Sequence, residues 1–192
     1  VQDMMNIIKE KKNTKQEEKH MKKKTIDVSK IRNSDIILQN AEILLTQKCN
    51  LHCDHCLRGN ATNKTITRDV LDAFFDNIFY IQNLSLGGGE ISLEPELIRM
   101  VTESLKSSKI IGVGRVNMTT NGTNVTDDFV NALRELTDYV KQGFDEDDMD
   151  DLVLIGCSID DFHLAELQKR GFSVEDITNN LAKIKKAIPE SY

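Results

Sequence analysis

From Ile43 onward the chain repeats one pattern: a short apolar run, a polar or glycine-rich turn, then apolar residues at helical spacing. The runs are Ile43-Leu44-Leu45, Leu84-Ser85-Leu86, Val113 to Met118, and Leu152 to Asp160. Between the first two, Val70, Leu71, Phe74, Phe75, Ile78 and Ile81 recur three and four apart, which predicts one buried helical face. Thr67 suits the cap of that helix and Asp69 its first turn. Pro95 belongs in the first turn of the next helix, whose inner face is Leu97, Ile98, Val101 and Leu105. Thr126 caps a third, with Val130, Leu133 and Leu136 inward, and Ser173 opens a last one carrying Ile177, Leu181, Ile184 and Ile188. Strands alternating with helices predict βαβ units on a parallel sheet. The unbroken apolar run from Leu152 predicts a strand covered on both faces.

With right-handed crossovers, the C-terminal ends of all four strands open on one edge, where such folds place their chemistry. Four turns meet there. The first holds Cys49, Cys53 and Cys56, three of the four cysteines of the chain. Thiolates are soft ligands that select iron–sulfur clusters, zinc or cuprous copper. Three of them leave one iron of a cubane cluster open; a closed zinc site needs a fourth ligand, for which His52 and His55 are at hand. The second turn is Gly87-Gly88-Gly89-Glu90, whose glycines permit a sharp bend and close approach. The third is Thr119-Thr120-Asn121-Gly122, and the fourth runs from Ser158 to Asp160. Cys157 lies in an apolar strand and reads as a small buried hydrophobe. His163 reads as a surface residue opening a helix.

The order Cys49-x3-Cys53-x2-Cys56 after an apolar strand, with Gly88-Gly89-Glu90 and the later strand ends, resembles the radical S-adenosylmethionine superfamily over about residues 40 to 165. The resemblance implies a partial (βα) barrel, α/β in class with a parallel sheet, of which about four of the usual six βα units are present. It implies that Cys49, Cys53 and Cys56 hold a 4Fe-4S cluster whose free iron is chelated by S-adenosylmethionine. Gly88, Gly89 and Glu90 would hold the methionine amino group, Ser158 and Asp160 the ribose or methionine portion, and Asn121 would be a further polar contact. His55 stands where the family places an aromatic residue against the adenine. The activity implied is reductive cleavage of S-adenosylmethionine to a 5′-deoxyadenosyl radical that abstracts hydrogen from a peptide, nucleotide or small metabolite. An external one-electron donor is implied, as is either a missing C-terminal segment or a partner protein to complete the barrel. Ile91 stands where many members have proline.

Composition narrows the alternatives. The 192 residues suffice for one domain, here residues 31–192, preceded by a lysine-rich extension over 1–30. A net charge of −6 argues against nucleic acid as a whole-surface partner. No apolar run approaches the roughly 20 residues of a membrane span, and no signal-peptide core is present, so a cytoplasmic protein is expected. The crowded cysteines read as metal-binding rather than as a disulfide framework. The acidic stretch Asp145 to Asp151 lacks the ligand spacing of a calcium loop and reads as solvated. The reading from a different class is a non-catalytic iron–sulfur or zinc module serving as scaffold or sensor.

Overall fold

The computed structural model describes residues 35–144 and 152–189; the lysine-rich extension and the acidic stretch lie outside them. Four strands, β1 (Ile37–Thr46), β2 (Tyr80–Gly88), β3 (Val113–Thr120) and β4 (Val153–Cys157), form one parallel sheet in sequence order. The connections carry α1 (Arg68–Asp76), α2 (Pro95–Ser107) and α3 (Asp127–Lys141); α4 (Asp161–Lys169) and α5 (Val174–Ala187) follow β4. This is the expected α/β architecture, an open parallel sheet with helices.

Register explains why the sheet has two unlike faces. One set of rows, Ala41–Leu84–Val116–Val153 and Ile43–Leu86–Met118–Ile155, is apolar and joins the residues of α1, α2, α3 and α5 in one core. The row between them is Glu42–Ser85–Asn117–Leu154, pointing the opposite way because strand side chains alternate. Leu71, Phe75, Ile98, Val101, Leu133 and Leu136 fill the helix side and are essentially without solvent contact. Polar ties brace the helices above them. Asp72 on α1 accepts from Arg68 at 2.6 Å and from the Ser104 hydroxyl of α2, which holds its carboxyl below the ordinary range. Arg99 on α2 reaches Asp128 at 2.6 Å and Glu135 at 3.2 Å on α3.

Several local expectations change. The first helix ends at Asp76, so Ile78 lies beyond it and Ile81 belongs to β2; both are still buried. Val70 is exposed. Thr67 has the extended backbone of a cap, but its hydroxyl accepts no cap bond. Thr126 does cap α3, accepting from Phe129 N at 3.1 Å, Pro95 is the first residue of α2, and Ser173 with Asp176 forms a reciprocal capping box on α5. β4 is not covered on both faces: Leu154 and Ile155 are half-buried and Gly156 is exposed. It is one of the two edge strands of the described sheet, and its second face lies on the uncovered side. No helix among the described residues is long and apolar enough to cross a membrane.

Because Leu133 is fully buried in the core, Leu133→Ala is expected to cost about 2–5 kcal/mol of unfolding free energy. A urea titration should show a lower midpoint at an unchanged slope.

Candidate functional site

The end of β1 and the end of β2 are joined backbone to backbone. Gly89 N donates to Thr46 O and Glu90 N to Lys48 O, each at 2.7 Å. Gly88 has φ of 142°, and a Cβ there would fall 2.2 Å from Thr46 O; at Gly89 it would fall 2.1 Å from Lys48 O. These glycines are therefore demanded first by the neighbouring chain, which occupies the space a side chain would need. The pairing register of β1 with β2 shifts just before this point, between Leu44 and Thr46. Beyond it the cysteine loop folds through two tight turns, Cys56 N to Cys53 O and Gly59 N to Cys56 O, both 3.0 Å. It returns beside its own start, with Gln47 N donating to Lys64 O at 2.8 Å.

Glu90 is the most constrained polar residue of the site, with 1% of its surface exposed. Its Oε1 accepts from Ser92 N at 3.1 Å and from the Thr120 hydroxyl at 2.6 Å, and its Oε2 accepts from Asn121 N at 2.6 Å. A buried carboxylate needs such donors, and here they come from the turn after β2 and the end of β3. Asn121 carries the connection onward. Its Nδ2 donates to Asn50 Oδ1 at 3.0 Å, while its Oδ1 accepts from Thr123 N at 3.0 Å and the Thr123 hydroxyl at 2.7 Å. Asn50 Nδ2 donates to Thr123 Oγ1 at 2.8 Å. Asn121, read from sequence as a further polar contact, thus holds the residue next to Cys49.

The fourth strand end supplies two more supports. Asp160 caps α4, its Oδ1 accepting from Phe162 N at 3.0 Å and His163 N at 2.9 Å, with Oδ2 2.7 Å from His163 Nδ1. Glu166 of α4 is buried, accepts from His52 N at 3.2 Å and Arg170 Nε at 3.0 Å, and so ties the cysteine loop to this helix. Nothing in the motif reading pointed to Glu166 or Asn50, though the Glu166–Arg170 spacing is a readable helical ion pair. His55 stacks on Phe162 with ring centroids 4.7 Å apart and meets His163 edge-on at 4.8 Å.

These elements surround a cavity of about 490 Å³ lined by all three clustered cysteines, by Gly88, Gly89 and Glu90, and by His55, Asn121, Ser158 and His163. Asp160 does not line it, whereas His163, read from sequence as a surface residue, does. All four cysteines are free thiols. Cys49, Cys53 and Cys157 sit against the small apolar cluster of Leu51, Leu167 and Ile177. Burial pushes the Cys49 thiol up, opposed by the Leu51 N–H and reinforced by the charges of Glu90 and Cys56. Burial likewise raises Cys53, with Cys49 adding to it, and lifts Cys157 to about 11.

Three soft sulfur donors on one loop suit an iron–sulfur cluster, or a zinc ion if a fourth ligand joins them. A separate group of three ligand atoms, mutually within 4.8 Å among the described residues, is His55, Asp160 and His163. There the carboxylate is already satisfied by the helix start and by His163.

The radical SAM superfamily model matches residues 43–192, and the chain belongs to that superfamily. It is 27% identical over 121 residues to an S-adenosylmethionine-dependent nucleotide dehydratase of a Thermoplasmatales archaeon (strain ISO4-H5), a match covering 62% of this chain and 42% of that one. Its fold is similar to native anSMEcpe with bound AdoMet, at a TM-score of 0.58 and 17% identity over 80% of this chain and 43% of that one. The same protein with AdoMet and the Cp18Cys peptide gives 0.56 and 17%, covering 82% and 42%. The chain spans less than half the length of each.

Two outcomes test this geometry. Glu90→Gln places an amide N–H against one of three donors, so it is expected to destabilise the fold by about 1–3 kcal/mol in denaturant titrations. The second concerns pH. The Asp160 carboxyl is held below its ordinary 3.8, chiefly by the His163 N–H. A depressed carboxylate contributes stability that is present above its unfolded value and lost as pH falls through the folded one. The Phe162 and His163 amide shifts should therefore titrate in NMR spectra with a midpoint below 3.8, and Asp160→Asn should remove that titration.

Proposed function

We propose that Cys49, Cys53 and Cys56 ligate three irons of a 4Fe-4S cluster, that S-adenosylmethionine completes the fourth, and that the protein acts as a radical SAM enzyme. The observation that carries this reading is that the thiol triad and the Gly88-Gly89-Glu90 turn line one cavity, with their backbones hydrogen-bonded to each other. When bound, a reduced cluster supplies one electron to S-adenosylmethionine, which divides into methionine and a 5′-deoxyadenosyl radical able to take hydrogen from a substrate.

The residues of this chain bind and orient. Three of the acceptor positions on the Glu90 carboxylate are filled, which leaves one for the ammonium group of the cofactor. Ser158 lines the cavity, and a hydroxyl there suits a ribose oxygen. His55 lines it, stacked on Phe162, and is the aromatic ring placed to meet the adenine. Asn121 and Asp160 take supporting parts: the first holds the loop at Asn50, the second fixes His163 and the start of α4. Leu51, Leu167 and Ile177 lie against Cys49 and Cys53, and such apolar burial tunes a cluster's potential. An external donor supplies the electron. The name of the archaeal relative makes a nucleotide the first substrate to try, ahead of a peptide or another small metabolite.

The test is anaerobic reconstitution with iron and sulfide, followed by dithionite and S-adenosylmethionine. Broad visible absorption and chromatographic detection of 5′-deoxyadenosine are expected, and replacing Cys49, Cys53 or Cys56 with Ser should abolish both. Zinc binding without iron, or a cluster that never cleaves S-adenosylmethionine, would overturn the proposal.

A further inference from the structure

We propose that Arg58 anchors an oxyanion of the substrate, a phosphoryl or carboxylate group, above a polar floor made by Ser85 and Asn117. This rests on the radical SAM reading, which makes the cavity a substrate site.

Among the described residues lining the cavity, Arg58 is the one lysine or arginine. It follows Cys56 by two positions, so its reach begins beside the thiols. Its recorded partner is a poor one. Nη2 stands 3.4 Å from Glu42 Oε1, with 43% of the Arg58 side chain and 60% of the Glu42 side chain exposed. An exposed pair of that length contributes little and yields to a better acceptor. A guanidinium offers a planar fork of donors matched to two oxygens of a carboxylate or phosphoryl group, and the single contact to Glu42 leaves that fork open.

The pair also lies in a prepared place. A Cβ on Gly87 would stand 3.2 Å from Glu42 Oε1 and 3.5 Å from Arg58 Nη2, so the bare glycine is what lets the two settle against the sheet. Gly87 leads directly into the Gly88-Gly89-Glu90 turn. Next to it, Glu42, Ser85 and Asn117 stand in register on three adjacent strands, on the face turned away from the apolar core. Ser85 and Asn117 are half-buried and line the cavity, and their side chains make no hydrogen bond among the described residues. A ligand that is both anionic and rich in hydroxyl or amine groups matches this set. Once its oxyanion engages Arg58, Glu42 is released to accept from one of those donors.

The experiment is calorimetric titration of the full chain, before and after anaerobic cluster reconstitution, with inorganic triphosphate, the four ribonucleoside triphosphates and citrate as probes. The wild type is expected to bind at least one of them. Arg58→Ala should weaken that binding about tenfold or more, Arg58→Lys should recover part of it, and Glu42→Gln should strengthen inorganic triphosphate binding about threefold by removing the competing carboxylate. Circular dichroism should be unchanged, since both side chains are exposed. The dissociation constant for S-adenosylmethionine should not move. Absence of binding by every probe, or equal binding by Arg58→Ala, overturns the proposal. So does a loss confined to S-adenosylmethionine, which would assign Arg58 to the cofactor's own carboxylate. Failure of the cluster to form counts against the enzyme reading instead, and the titrations of the unreconstituted protein still report on Arg58.

Discussion

A carboxylate with 1% of its surface exposed must have its oxygens satisfied inside the protein, and Glu90 meets that need with donors from two different strand ends. The bonds to Ser92 N, the Thr120 hydroxyl and Asn121 N fix the turn after β2 against the end of β3. Asn121 then fixes Asn50, and Thr46 and Lys48 accept from Gly89 and Glu90. The cysteine loop is thereby held at its start by β2 and just past Cys49 by β3. A flexible loop bearing three thiols would lose affinity to the entropy of ordering them; here that ordering is part of the fold.

The same device explains the glycines. Gly88 and Gly89 allow the sharp bend and close approach expected of them, and the space a Cβ would need is occupied by the backbone of Thr46 and Lys48. Close approach of two strand ends is what lets one carboxylate serve both. The site is thus built from main chain first, with side chains aimed from it. Glu166, reaching back from α4 to His52 N, closes the remaining side of the loop.

The two-faced sheet supplies the surroundings. Apolar rows bind the helices and carry the stability; the intervening row is polar and borders the cavity. Arg58 and Glu42 meet beside that row at Gly87, a strand position lacking a side chain. The apolar core and the polar floor are therefore separate properties of alternating positions on the same strands.

The order of elements, the parallel sheet and the convergence of four turns were legible in the chain because they rest on local periodicity and on punctuation by Gly, Pro, Thr and Ser. Cys49, Cys53, Cys56 and Glu90 were legible as motif residues. Periodicity could not separate Ile78 and Ile81 from the helix before them, since a buried turn and a buried strand continue an apolar face without a break. Nor could it tell that β4 is an edge of the described sheet, because neighbours in a sheet are absent from a strand's own sequence. What only the tertiary structure decided was which bracing roles the polar groups take: Asn121 bonded to Asn50 and Thr123, Asp160 to the start of α4, and Asn50 and Glu166 tied into the cysteine loop, with His163 brought to the cavity. Those roles depend on which polar atoms have already found partners across 31, 71 or 114 residues of chain, and a hydrogen bond over such separations leaves no local trace.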